Sequence, residues 1–311
     1  MDRLTAEAED DDLQMASYTV RRILRAILLL VLVSVLTYVL FTVLPDANPP
    51  QSVAPGFFGY MKDVFLHFNF GYNHPSHQSV LSLVLTRLPA TLSLVAGAGL
   101  LSVALAIPVG VIAATRRGTR VDRVAMRTAL AIISMPVFWL GLIVLYLLAS
   151  DVGKLPILPG ANSYAGLTAD PGQWFKSLIL PWLVLAASQA AIYSRLLRGQ
   201  MLEVMDQDYI RTARAKGLSE QSVIWRHGAG AAVPGVVTAL GLDIGALLGG
   251  AVLTETVFRI HGVGLLAYHA VLRSDFPIVQ GTVLLAAMFI VVVSLIVDIG
   301  NAWLDPRVRF A

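Results

Sequence analysis

Long apolar runs alternate with short polar segments along most of the chain. A helix needs about 20 predominantly apolar residues to cross the hydrocarbon core of a bilayer. Six stretches reach that length: Ile23–Leu44, Pro89–Thr115, Val124–Ala149, Leu178–Leu197, Pro234–Val257 and Ile278–Trp303. Pro108 is expected to break the second run, and Pro136 and Pro181 lie inside the third and fourth. Prolines are tolerated in spans because neighbouring helices satisfy the freed carbonyls. The pattern predicts an all-α, polytopic membrane protein with six transmembrane helices.

Between the first two runs lies Pro45–Arg87, which opens on the turn-forming PDANPPQSVAPG. Phe57, Phe58, Met61, Val64, Phe65 and Phe68 then recur at helical spacing, with Lys62 and Asp63 opposite. This predicts a short helix that lies in the membrane interface or packs against the spans. The segment 150–176 carries Gly and Pro and shows no period.

Composition agrees with the pattern. The 311 residues are 56% hydrophobic and 14% charged, whereas a soluble domain carries about 25% charge. There is no cysteine, which removes disulfides and thiolate metal sites. The sequence pI near 9.3 reflects Lys and Arg collected on one membrane face, not nucleic-acid binding.

Seventeen cations fall on one side of the predicted spans: Arg3, Arg21, Arg22, Arg25, Arg116, Arg117, Arg120, Arg123, Arg127, Arg195, Arg198, Arg211, Arg214, Lys216, Arg226, Arg307 and Arg309. Lys62, Arg87, Lys154, Lys176, Arg259 and Arg273 fall on the other. The first side is therefore expected to be cytoplasmic. Both termini then face the cytoplasm, as an even number of spans requires, in a multi-pass protein of the plasma (inner) membrane. The acidic tail 1–20 cannot bury enough apolar surface to fold alone, and the first span is expected to be a retained anchor.

The chain lacks several chemistries. No lysine sits in a G-x-x-x-x-G-K-[ST] phosphate loop, so no ATP site is expected. His74 and His77 flank Pro75 with no third ligand nearby, and no metal site is expected. Neither a Ser/His/Asp set nor H-E-x-x-H is visible, which excludes the usual membrane-protease chemistry. No catalytic residue is assigned.

The segment between spans four and five reads DQDYIRTARAKGLSEQSVIWRHGAGAAVP at 206–234. A loop of this length in a tightly connected membrane protein suggests docking with something outside the bilayer. Asp206 and Asp208 suit a helix start, Gly217 suits a C-terminal turn, and Ser219 suits the cap of a second helix with Glu220 in its first turn. Ala213 and Ala215 are small enough to admit another surface. A helix, a glycine turn and a helix follow. Contact with anionic lipid heads is the plainer alternative.

This loop resembles the EAA-x-x-x-G loop of the membrane subunits of binding-protein-dependent ABC importers, with Arg211-Thr212-Ala213 followed by Gly217 and Arg in place of the leading Glu. DYIRTARAKGLS is close to the peptide and nickel permease branch. So are TRLPATLSL at 86–94, GVIAATRRGTRVDR at 110–123, ISMPVFWLGL at 133–142, TALGLDIGALLGGAVLTETVF at 238–258 and LDPRVR at 304–309. The outer segment lacks the usual PGDP-like stretch, and His261 stands where proline usually precedes the Gly-x-Gly turn.

The resemblance implies a type I ABC importer permease fold, with a permease core over 88–303, a first helix and outer segment over 21–87, a coupling loop at about 198–233 and a tail at 304–311. It implies three kinds of partner besides the lipid bilayer and no nucleic acid: a second homologous permease, two ATPase subunits that carry the ATP and Mg, and an extracytoplasmic substrate-binding protein. This chain itself is expected to bind no cofactor. Asp208, Tyr209, Arg211, Thr212, Ala213, Arg214, Ala215, Lys216 and Gly217 would couple it to the ATPase. The cargo implied is a di- or oligopeptide, with a nickel chelate or glutathione as alternatives. A proton-coupled secondary transporter would need more spans and an internal repeat; a membrane scaffold that transports nothing is the third class.

Span five repeats glycine at 241, 245 and 249, with Gly250 adjacent. That spacing suits close helix packing or a pathway strip. Asp243 and Glu255 are costly within a bilayer, at about 2.5–3.5 kcal/mol each. Asp243 is expected to line the pathway or fix packing. Glu255 is expected near the outer surface close to Arg259, and Asp298 near the inner interface. His261 is expected in an exposed turn.

Overall fold

The structure, a computed structural model, describes residues 20–39, 56–73 and 77–304, with side chains to residue 295. The acidic tail, the Pro-rich turn after the first span, His74, the Asp298 side chain and LDPRVR beyond Leu304 lie outside the described residues. The chain divides into two compact units, one of residues 87–265 and one of the segments on either side.

In the flanking unit, α1 is Val20–Val39 and α2 is Phe57–Leu66. The predicted short outer helix forms and packs against α1. It buries Tyr60 and Val64 and sets Phe57 edge-on to Tyr38 of α1 at 5.4 Å, while Phe58 remains 87% exposed. It stops two residues before Phe68. In the same unit, Gly281 of α12 (Phe276–Leu304) lies so close to Val80 that a Cβ there would collide with it.

The second unit is built around two long helices. One, α3, runs Val80–Thr115 without interruption through Pro89 and Pro108, so the expected break at Pro108 does not occur. A proline deletes one donor, and packing against the other long helix, α6 (Pro171–Met205), compensates. Close approach is possible because α3 presents glycine there. A Cβ at Gly97 would overlap Trp182, whose indole N–H donates to Ser93 O at 2.9 Å. A Cβ at Gly110 would sit 2.9 Å from Leu197 Cβ. The Asp170 carboxylate caps α6 by accepting from Gln173 N at 2.9 Å. At 35 residues the helix is about 50 Å long, longer than the bilayer's hydrocarbon core.

Two predicted spans are bent. The third is α4 (Arg120–Ile133) and α5 (Val137–Leu148), which meet at 106°. The residue before a proline disfavours α geometry, and Pro136, with ψ 138°, starts α5 afresh. The fifth is α9 (Gly230–Leu242) and α10 (Ile244–Phe258), which meet at 59° around Asp243. A further helix absent from the sequence expectation, α11 (Val263–Leu272), is too short to span. By length and composition, four described helices can cross a membrane, and six spans result when each bent pair counts as one. Among the described residues the regular structure is helical, with isolated β-bridges alone between other segments. One core layer gathers Leu94, Leu178, Leu185, Leu247 and Phe258; a second gathers Ala106, Tyr193, Leu197, Met201 and Val236.

Candidate functional site

The segment after α6 builds a small folded knob. Asp206 ends α6 and does not start the next helix; its N–H reaches Val204 O. Gln207 is extended, and α7 runs Asp208–Ala215. Ile210 and Ala213 of α7 pack with Val223 against Val204 and Met205. Ala213 is thus 7% exposed and seals the knob's own core, so it does not admit another surface as expected.

The turn after α7 is a Schellman motif. Leu218 N reaches Ala213 O at 3.4 Å and Gly217 N reaches Arg214 O at 3.0 Å. Gly217 has φ 77°, which a β-branched residue takes only under strain. Ser219 caps α8 (Glu220–Ser222), accepting from Ser222 N at 3.4 Å. Arg214 donates two bonds to Glu220, at 2.8 and 3.2 Å, and this carboxylate raises the guanidinium above its ordinary pKa. A π-helical turn, Val223–Ala229, leads into α9. There a Cβ at Gly228 would come within 2.9 Å of Met205 Sδ.

The opposite face of α7 is open. Asp208, Tyr209, Arg211, Thr212, Ala215 and Lys216 are all exposed; Arg211 pairs with Asp208 at 3.3 Å. The knob thus offers a short helix, rigid at its back and mixed in charge at its front, clamped by an ion pair and a glycine turn. Such a part can transmit force when another surface seats on it.

A neighbouring tether was missed by sequence reasoning. Asp122 of α4 is buried and accepts from Arg198 of α6 at 2.7 and 2.8 Å. It also accepts from Gly118 N at 2.9 Å. The signal is a lone carboxylate within the arginine-rich TRRGTRVDR; nothing local marks its partner, 76 residues away.

Span five is bent at Asp243. Gly241 is buried, but a Cβ at Gly245 or Gly249 would meet nothing within 4 Å. The break at Asp243 puts the stripe on two differently directed helices, so it forms no single packing seam among the described residues. Gly250 does pack, 2.8 Å from Leu185 Cδ1. Asp243 sits at the break and accepts from the Tyr193 hydroxyl at 3.2 Å.

Glu255 does not approach the surface beside Arg259; it is fully buried. It accepts from the Thr91 hydroxyl at 2.6 Å and from Leu265 N at 2.8 Å, while Thr91 Oγ1 accepts from Val263 N at 2.9 Å. A Cβ at Gly262 would overlap the Glu255 carboxylate, and one at Gly264 would come within 2.7 Å of Val252 Cα. The Gly-Val-Gly turn therefore wraps a carboxylate. His261 occupies an exposed turn, as expected.

Residues 106–310, which include the tether, the knob and the bent span, match the family described as binding-protein-dependent transport system inner membrane component. The chain belongs to this family. The permease is 34% identical over 318 residues to a putative peptide transport system permease protein of Brucella abortus (strain 2308), covering 95% of this chain and 100% of the relative. It is 38% identical over 263 residues to the dipeptide transport system permease protein DppB of Escherichia coli (strain K12), covering 78% of each chain. A probable peptide ABC transporter permease of Sinorhizobium fredii (strain NBRC 101917 / NGR234) is 33% identical over 321 residues, with 95% of this chain and 100% of the relative covered. The permease is accordingly a multi-pass membrane subunit of an ABC transport system, and other subunits complete that system.

Proposed function

We propose that this permease forms half of the translocation pathway of an ATP-driven importer for di- or oligopeptides. A second, homologous permease supplies the other half. Peptide arrives from an extracytoplasmic binding protein, and two ATPase subunits hold the ATP and Mg, so this chain catalyses nothing and binds no cofactor. The relatives named for peptide and dipeptide transport support the cargo. The cytoplasmic placement of the knob follows from the excess of Lys and Arg on its side.

The observation that carries the reading is the α7 knob. Its back is fixed by Ile210, Ala213 and Val223, and its front row from Asp208 to Lys216 is free. Only contacts that differ between two ATPase states can move the permease, and a rigid protruding helix passes that difference to α6 and α9. Gly217→Val tests this. The site has open space, so the valine costs backbone strain of about 1–3 kcal/mol without a clash. The assembled importer is expected to keep its membrane level and ATP hydrolysis but lose ATP-driven dipeptide uptake. Normal uptake at a normal membrane level defeats the assignment.

A further inference from the structure

Beside the Asp122–Arg198 tether, α4 and α6 line a basic cavity of about 510 Å³. Arg123 and Arg127 face it from α4, and Arg195 and Arg198 from α6. Residues three or four apart share a helix face, and like charges at that spacing repel. Arg198 is committed, since its Nε and Nη2 both donate to Asp122, the one carboxylate of the cavity. Arg123 donates to the Thr119 carbonyl at 3.4 Å. Arg127 and Arg195 pair with no carboxylate among the described residues. Three exposed guanidinium groups thus surround a cavity that offers them no free anion.

The space between them is open. Gly199 of α6 lines the same cavity, and a Cβ there would meet nothing within 4 Å. Met126 and Leu130 add an apolar wall.

We propose that this cavity binds a phosphate monoester, held by Arg123, Arg127 and Arg195. A donor count selects the anion. Asp122 shows what a carboxylate takes up: one guanidinium fork and the Gly118 N–H. Three further guanidinium groups exceed that capacity. A phosphate monoester carries about −1.5 to −2 charge and three terminal oxygens, and pairs of such oxygens match the guanidinium fork. Repulsion among the three arginines favours this higher charge over a carboxylate or a phosphodiester. The apolar wall favours an ester over inorganic phosphate. The same group occurs on a soluble ester, glycerol 3-phosphate, and on a lipid, phosphatidic acid. Once bound, it bridges α4 to α6, the helix whose end carries the α7 knob.

The test uses the assembled transporter, delipidated in detergent at physiological salt, with bound glycerol 3-phosphate and phosphatidic acid counted by native mass spectrometry. Wild type is expected to bind one or both, and to prefer them to the diester phosphatidylglycerol. Arg127→Gln/Arg195→Gln should lower the affinity about 30-fold. Arg116→Gln/Arg120→Gln removes the same charge from exposed arginines outside the cavity lining and should leave the affinity within about twofold, because salt screens distant surface charge. Gly199→Leu has room for its Cβ, keeps all four arginines and fills the cavity, so it should also weaken binding. Binding of glycerol 3-phosphate assigns a soluble ester; binding of phosphatidic acid alone, lost in the cavity variants, assigns a lipid. Wild type that binds neither ligand overturns the proposal, as does binding that Arg127→Gln/Arg195→Gln leaves unchanged. Equal loss in the two double variants also overturns it and reduces the site to diffuse charge. So does succinate that competes as well as glycerol 3-phosphate, which makes the cavity a seat for carboxylates.

Discussion

Glu255 shows how a residue costly in a bilayer becomes affordable by complete satisfaction of its hydrogen bonds. Each carboxylate oxygen accepts a donor, Thr91 hydroxyl on one and Leu265 N on the other, and Thr91 in turn accepts from Val263 N. Glu255→Ala orphans both donors, and each buried orphan costs about 1–3 kcal/mol. Glu255→Gln keeps a carbonyl for Leu265 N and should fall between the two. The thermal midpoint of the detergent-solubilised complex is expected to run wild type, Gln, Ala in descending order; an Ala variant as stable as wild type refutes the account. Gly262 is coupled to the same group, since its Cβ would press on the carboxylate. Gly262→Ala should destabilise wild type more than it destabilises the Glu255→Ala background, because residues in contact are non-additive.

Among the elements, the helices of one period were legible and the bends were not. The apolar runs located α3, α6 and α12, because hydrocarbon demands length and apolarity and little else. Their ends were longer than expected, since polar turns that continue a helix into water carry no apolar signal. Pro108 and Pro136 look alike in sequence yet act oppositely: Pro108 lies within α3 and its packing on α6, while Pro136 follows an amphipathic helix whose arginines favour leaving the membrane. The knob was legible because caps and turns are local: Ser219 and Gly217 act on residues within a few positions. The Asp122–Arg198 tether was not, being 76 residues apart in sequence. That tether joins the α3–α4 loop to α6. In a double-mutant cycle of Asp122→Asn and Arg198→Gln, the coupling energy is expected at about 1 kcal/mol, the upper end for a partly exposed pair. It can be read from thermal midpoints and from protease cleavage near Gly118. Strictly additive effects remove the tether from the energetics.

At the scale of the whole molecule, the proposed coupling surface is the exposed front of α7. The permease's complete lack of cysteine makes that arrangement directly testable, because one introduced thiol reports one position. Ala215 is exposed on the front of α7, while Ala213, two residues earlier, faces Ile210 and Val223. Both are small, and both lie in the same short helix, so a difference between them reports facing and not distance along the chain. In the assembled importer, Ala215→Cys is expected to cross-link to an ATPase subunit through a short bifunctional reagent, and the yield should change between nucleotide-free and ATP-bound states. Ala213→Cys should stay unreactive in both. Cross-linking to another permease copy or to none, under conditions that support uptake, would mean that force enters by a different surface. Equal reactivity of the two positions would mean that α7 does not pack on its Ile210 face when the complex is assembled, and the rigidity on which coupling depends would be lost with it.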